Sequence, residues 1–90
     1  MPESESLQRI DALLETGLLP SPQIRKQLRI TAGLTQEEVA DAIGVQRLAV
    51  ARWEAGATKP HRGNRLKYAH FLRQLAERYP DVALEVTGDG

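Results

Sequence analysis

The chain has 90 residues, with 12 Lys/Arg, 12 Asp/Glu and no cysteine. This length fits one small domain, the absence of cysteine excludes disulfides and thiolate metal sites, and no apolar run approaches the roughly 20 residues that cross a bilayer. Residues 21–79 hold eleven Lys/Arg against five Asp/Glu, whereas residues 1–20 and 80–90 each carry a net charge of −3. A basic centre between acidic ends is typical of an electrostatic binding surface, although the solvated faces of ordinary helices would also produce it. The acidic start does not resemble a signal peptide, so we expect a cytoplasmic protein.

The first predicted helix spans Leu7 to Thr16, with Ser6 as its N-cap. Gly17 suits the end of this helix, and Pro20 prevents its continuation. The apolar residues that recur at helical spacing include Leu7, Ile10 and Leu14. This apolar face either packs on its own domain or forms a dimer contact.

The second predicted helix begins with Ser21 as N-cap and Pro22 at the first helical position. Proline is well placed there because its missing N–H would have no partner in any case. The helix ends near Ala32. The apolar spacing predicts that Ile24 and Leu28 face inward.

The third and fourth predicted helices are short and follow each other closely. Thr35 and Glu38 form a capping box, in which each side chain bonds the main-chain N–H of the other, at the start of a helix over 36–43. Gly44 follows as a residue that tolerates a positive φ. Gln46 opens the fourth helix, which runs through Glu54 or Ala55.

The last predicted helix spans Arg65 to Tyr79, with Asn64 as its N-cap and Pro80 ending it. The residues expected to face the core are Leu66, Ala69, Leu72, Leu75, Ala76 and Tyr79. In the tail, apolar residues alternate at Val82, Leu84 and Val86, which indicates either a short strand or a segment laid over a groove. We therefore expect three parts: an N-terminal helix and linker (1–20), a core domain (21–79) and a tail (80–90).

Residues 36–54 meet the requirements of two short helices that cross steeply at a tight turn. Ala40 is small where the second helix crosses the first, and Gly44 supplies the turn. The positions that must be apolar hold Val39, Ile43, Val45, Val50 and Trp53. Each requirement is weak alone, but together they predict a helix-turn-helix.

The outward residues of the second helix of this pair suit contact with the major groove of DNA. Arg47 and Arg52 can each make a bidentate contact with guanine. Leu48 can contact a thymine methyl, and Gln46 can bond an adenine edge or a phosphate. Gln36, at the N-terminus of the preceding helix, is placed to hold a phosphate.

Between Ile24 and Leu75 the sequence resembles the phage repressor/Cro type of helix-turn-helix domain, also called the xenobiotic-response-element family. The matching segments are Arg29, Gly33 through Ala40, Ile43 through Val45, Trp53 through Gly56, and Pro60. The resemblance implies an all-α fold of about five helices, here with an extra N-terminal helix and a short C-terminal tail. It also implies an ion pair between Arg29 and Glu54. Base contacts would come from Gln46, Arg47, Leu48 and Arg52, with Gln36 on the phosphate backbone.

The sequence departs from the family pattern in two places. Gln46 stands where Ser or Thr is usual, so either the fourth helix has a poorer N-cap or Gln46 itself contacts DNA. The segment from Pro60 to Leu66 is one residue longer than is common, and it is rich in basic residues. Three basic side chains in and directly before this segment are expected to grip the phosphate backbone or the minor groove: Lys59, Arg62 and Arg65.

These patterns predict a repressor-like regulator that binds an inverted repeat in double-stranded DNA as a homodimer. The alternative is a protein-interaction module on the same fold, such as an antitoxin or a coactivator-like partner. We expect no enzymatic activity, because the sequence shows no nucleophile–base constellation and no Gly-rich phosphate loop. We also expect no cofactor, no membrane association and no metal site, since His61 and His70 lack further ligands at suitable spacing.

Overall fold

A computed structural model describes residues 19–82, and these residues form a helical domain without strands. Four helices lie wholly within this range: α1 (Pro22–Thr31), α2 (Gln36–Ile43), α3 (Arg47–Glu54) and α4 (Arg62–Arg78). The predicted all-α fold class is therefore confirmed. The helix predicted over 7–16, with its apolar face, lies outside the described residues. Among the helices that the structure describes, none has the length and apolar character needed to cross a membrane.

The starts of α1 and α2 follow from local capping. The Ser21 hydroxyl accepts from the N–H of Ile24 at 3.4 Å, and Pro22 occupies the first position of α1. The capping box of α2 is present in both directions. The Glu38 N–H donates to the Thr35 hydroxyl at 3.0 Å, and the Thr35 N–H donates to the Glu38 carboxylate at 2.9 Å. These donors would otherwise lack partners in the first turn.

The core lies where α4 packs against α1 and α2, while α1 also contacts α3. Leu28, Val39 and Val50 are almost completely buried. The further core residues of α2 and α3 are Ala40, Ile43 and Trp53, and those of α4 are Tyr68, Ala69, Leu72, Leu75 and Ala76. Val45, predicted to be apolar core, is half-buried against this cluster.

The predicted start of the last helix was wrong by three residues. His61, not Asn64, is the N-cap of α4, and the Arg65 N–H bonds the His61 carbonyl at 2.7 Å. Gly63 is thus in the first turn of the helix, although glycine loses more conformational freedom there than alanine would. Burial of the Tyr68 and Ala69 side chains one to two turns later offsets this cost, since helices in proteins are stabilised chiefly by packing.

The predicted buried faces of two helices were also partly wrong. Leu66 is 45% exposed because it lies on the flank of α4, whereas Tyr68 is 1% exposed. Tyr79 is the half-buried C-cap of that helix. In α1 the buried position next to Leu28 belongs to Arg25, and Ile24 is only half-buried.

The described part of the tail is helical, which contradicts a strand beginning at Val82. Residues 80–82 form a helical turn, and the Val82 N–H bonds the Tyr79 carbonyl at 3.2 Å. Val82 is buried against the core cluster. Its apolar character therefore serves packing rather than strand alternation, while Leu84 and Val86 lie outside the described residues.

Candidate nucleic-acid interface

A tight turn joins α2 to α3 and determines the orientation of one helix relative to the other. Gly44 has φ +86°, a left-handed conformation that favours glycine. The N–H groups of Gly44 and Val45 both donate to the Ala40 carbonyl, at 2.8 and 2.9 Å. Ala40 itself is 1% exposed and belongs to the hydrophobic core, and the two helices contact each other. The helix pair is thus a well-packed unit.

Helix α3 has one buried face and one exposed face. Val50, Trp53 and Glu54 are buried. The residues predicted to contact bases, Gln46, Arg47, Leu48 and Arg52, are all exposed. Leu48 is 50% exposed, close to the 49% of Ile30 and the 45% of Leu66. Gln46 makes no side-chain capping bond, so its amide is not used to begin the helix.

A hydrogen-bonded cluster around Glu54 connects three helices. Arg29 donates to both carboxylate oxygens, from Nε at 2.7 Å and from Nη2 at 3.0 Å, and so forms the ion pair that the resemblance implied. Its Nη1 donates to the Leu34 carbonyl at 2.9 Å. The Gln36 amide donates to Glu54 Oε1 at 3.1 Å. The hydrogen bonds to Glu54 raise the pKa of Arg29 above its ordinary value, because they favour the charged form.

Arg25 is an important residue that the sequence analysis missed. It is 6% exposed, and its Nη2 donates to the Trp53 carbonyl at 3.2 Å, in the last turn of α3. Its guanidinium lies over the Tyr68 ring, 5.5 Å from the centroid, and the Trp53 and Tyr68 rings are 5.2 Å apart. Burial holds the pKa of Arg25 below its ordinary value. The signal in the sequence is its spacing, three residues before Leu28 on the same helical face.

The structure brings Gln36 and Arg47 together in a shallow open cleft of about 500 Å³. The same cleft is lined by Arg29, Leu34 and Thr35 among others. The N-terminus of α2 and the N-terminus of α3 therefore face a common surface. The Gln36 side chain is held by Glu54, so its main-chain N–H, which has no partner within the helix, is the group best placed to meet an anion here.

The three basic residues around α4 are divided by the structure. Lys59 and Arg65 line a second cleft, of about 360 Å³, together with Pro22 and Arg25. Arg62 lies in the first turn of α4, is exposed, and does not line this cleft. If these side chains contact the phosphate backbone of DNA, Lys59 and Arg65 would do so from the cleft and Arg62 from outside it.

The histidines do not assemble into a metal site. His61 is the exposed N-cap of α4, and the His70 ring lies 3.3 Å from the Gln74 amide. In the span 19–82, no group of three or more His, Cys, Asp or Glu side chains could hold a metal ion.

Comparison with known proteins agrees with this geometry. A family model described as helix-turn-helix matches residues 26–78. That span is more than half of the chain, and it runs from within α1 to the end of α4. No curated protein and no solved structure gives a significant match to the chain.

Proposed function

The chain belongs to the Cro/C1-type helix-turn-helix family, and on this basis we propose that it is a cytoplasmic regulator that binds specific sequences in double-stranded DNA. Residues 21–79 are the DNA-binding unit of this proposal. The protein acts as a repressor-like homodimer on an inverted repeat, and occupation of the operator blocks or redirects RNA polymerase. When dimers of such domains bind one face of DNA, half-sites lie about one helical turn apart.

The observation that carries the proposal is the charge of the exposed face of α3. Glu54 is the only acidic residue between positions 46 and 54, and it is buried and paired with Arg29. The exposed face therefore presents Arg47 and Arg52 without an acidic neighbour on the same helix. A helix face that carries positive charge and no acidic residue suits the groove of DNA, which is a polyanion. It suits the surface of an ordinary protein less well.

Roles for the exposed residues follow from their positions on α3. Arg47 lies at the N-terminus, which in this docking geometry enters the groove most deeply, and it reads guanine. Arg52 is about 140° around the helix from Arg47 and reaches an adjacent base or phosphate. Leu48 contacts a thymine methyl group. Gln46, free of a capping role, bonds an adenine edge or a phosphate.

The phosphate backbone is held by groups that come before and after α3 in the chain. Before α3, Gln36 presents its main-chain N–H at the positive end of the α2 dipole, while Glu54 holds its side chain in place. After α3, Lys59, Arg62 and Arg65 supply positive charge. These contacts position α3 without selecting a sequence.

Selection from a random pool of duplexes tests the proposal directly. The wild-type protein should enrich a paired, inverted sequence. Arg47→Ala should relax preference at one base position in each half-site and lose about 1–3 kcal/mol of discrimination there. The matched control is Arg78→Ala, which removes an exposed arginine in the last turn of α4 and should leave the enriched sequence unchanged. Failure to retain any duplex at low ionic strength would contradict DNA binding and favour a protein-interaction module.

A further inference from the structure

The buried charge of Arg25 is only partly compensated by its neighbours. The carboxylate of Glu54, which favours the charged form of Arg25 electrostatically, already accepts two bonds from Arg29 and one from Gln36. Arg25 itself contacts neutral groups, the Trp53 carbonyl and the Tyr68 ring, and its buried Nε has no hydrogen-bond partner. Arg29 is thus hydrogen-bonded to a carboxylate, whereas Arg25 bonds no carboxylate among residues 19–82. A buried cation in this state is costly unless an anion lies nearby.

Positively charged side chains line the cleft beside Arg25. The cleft of about 360 Å³ described above, here called the Arg25 cleft, is lined by three cationic side chains, Arg25, Lys59 and Arg65. Its other lining residues are Leu19, Pro20, Pro22, Gly56, Thr58 and Pro60. Within residues 19–82, no acidic residue lines the cleft, and neither Lys59 nor Arg65 forms a salt bridge. The Nε of Arg65, like that of Arg25, is buried without a hydrogen-bond partner.

We propose that the Arg25 cleft binds a phosphate group. Guanidinium groups bind phosphate oxygens through parallel, charge-assisted hydrogen bonds, and a lysine adds a point charge. A phosphate seated among these three side chains would supply the negative charge that Glu54 does not provide to Arg25. Because Arg25 is buried, its attraction to an anion is screened less by water than that of a surface charge. The volume accommodates a phosphate with part of the molecule that carries it.

The phosphate has two possible sources. One is a phosphodiester of the DNA backbone, and this arm of the inference rests on the proposed DNA-binding function. The other is a free phosphorylated small molecule. In either case the cleft is connected to the DNA-reading helix, because Arg25 Nη2 holds the Trp53 carbonyl and Gly56 lies two residues after α3. Trp53 is the only tryptophan of the chain, so its fluorescence can be used to detect a ligand in the cleft.

Titration with inorganic phosphate at constant ionic strength, balanced with sodium chloride, tests the site. Fluorescence of Trp53 and amide NMR signals of Gly56, Thr58 and Lys59 should change along one saturable curve. Arg65→Gln should weaken phosphate binding about tenfold, as expected for loss of a charge-assisted hydrogen bond. Lys59→Gln, in an exposed loop position, should weaken it in the same direction.

The matched control is Lys67→Gln, which removes an exposed positive charge two residues from Arg65 without altering the cleft lining. It should keep the wild-type phosphate affinity. General effects of phosphate on protein stability would act on all variants alike. An unsaturable response, or equal responses of Arg65→Gln and Lys67→Gln, would overturn the proposal.

Duplex binding with and without inorganic phosphate, again at constant ionic strength, distinguishes the two sources. If the cleft holds a DNA phosphodiester, inorganic phosphate should compete with duplex, and Arg65→Gln should weaken binding to all sequences. If it holds a free ligand, duplex and phosphate should bind together. A protein that binds phosphate saturably but retains no duplex would disprove the proposed function while leaving the cleft site supported.

Discussion

At the scale of single residues, the carboxylate of Glu54 accepts three hydrogen bonds from side chains of two other helices. It accepts from Arg29 and Gln36, and its side chain is only 4% exposed. Three parts of the domain, the end of α1, the start of α2 and the end of α3, therefore meet at one buried negative charge. This arrangement explains how an acidic residue in α3 is compatible with a positive outer surface.

Glu54→Ala should destabilise the domain strongly. Removal of one partner from a buried ion pair costs about 3–5 kcal/mol, because the remaining charge is left uncompensated. Since the Arg29 side chain retains 13% exposure and can regain some hydration, we expect about 3 kcal/mol. Urea unfolding followed by circular dichroism measures the change.

The control for this change is Glu77→Ala. Glu77 lies 3.6 Å from Arg73 in an exposed pair one helical turn apart, with 60% of its side chain accessible. Such pairs contribute about 0.3–0.5 kcal/mol. Equal losses for the two variants would show that burial of Glu54 does not determine its effect.

Tyr68 makes stability depend on pH in the alkaline range. Burial raises its pKa to about 12, although nearby Arg25 opposes this shift. The unfolded state, with an ordinary pKa near 10, therefore loses its proton first as the pH rises. The stabilisation is fully present below about pH 10 and is lost between about pH 10 and 12, to a total of about 2–3 kcal/mol.

Comparison with Tyr68→Phe isolates this contribution. Phenylalanine keeps an aromatic ring under Arg25 but has no proton to lose. The difference in unfolding free energy between the two proteins should change between pH 9 and about pH 12, with the wild type losing more stability. Parallel pH profiles would contradict the raised pKa of Tyr68.

At the scale of elements, the turn between α2 and α3 depends on the left-handed backbone conformation of Gly44. A Cβ at Gly44 would meet no atom within 4 Å, so Gly44→Ala introduces no steric clash with neighbours. The substitution should still lower the free energy of unfolding by about 1–2 kcal/mol, because φ is +86° and alanine disfavours this backbone conformation. Thermal unfolding measures it.

Gly63→Ala provides the opposite case within the same domain. Gly63 lies inside α4 with a negative φ, and a Cβ there would also meet nothing within 4 Å. Alanine should stabilise this helix by about 0.5–1 kcal/mol. If both substitutions shifted the melting temperature in the same direction, the left-handed turn at Gly44 would not explain its effect.

At the scale of the whole molecule, the net charge of zero conceals a basic centre. In the proposed function this centre neutralises DNA phosphates and releases counterions. Arg62→Gln should therefore weaken binding to all duplexes and reduce the slope of log affinity against log salt by about 0.9. Arg78→Gln, at the other end of α4, should leave the slope unchanged. A loss confined to one DNA sequence would contradict a backbone role for Arg62.

Much of the fold was predictable because it depends on interactions between near neighbours. The limits of α2 and α3 follow from the Thr35–Glu38 capping box and from Gly44, each of which acts within about one helical turn. The exposure of Arg47 and Arg52 followed from the helical period once Val50 and Trp53 were assigned to the core. The Arg29–Glu54 pair, which spans 25 residues, was anticipated only through the family resemblance.

The early start of α4 and the burial of Tyr68 were not predictable in the same way. Local propensity favoured Asn64 as a cap and Leu66 as a core residue. The packing of α4 on α1 and α2 instead selected the face that carries Tyr68. Propensities differ by less than about 1 kcal/mol per residue, whereas burial of a large side chain contributes more.

By itself, the sequence determined the order of the helices, the turn between α2 and α3 and the basic face that α3 presents. Only the tertiary structure decided the environment of the buried charges. Arg25 reaches the carbonyl of a residue 28 positions away, and its partial compensation depends on how Arg29 and Gln36 occupy Glu54. The physical reason is that desolvation and charge pairing depend on distances in space, which neither helical periodicity nor capping specifies.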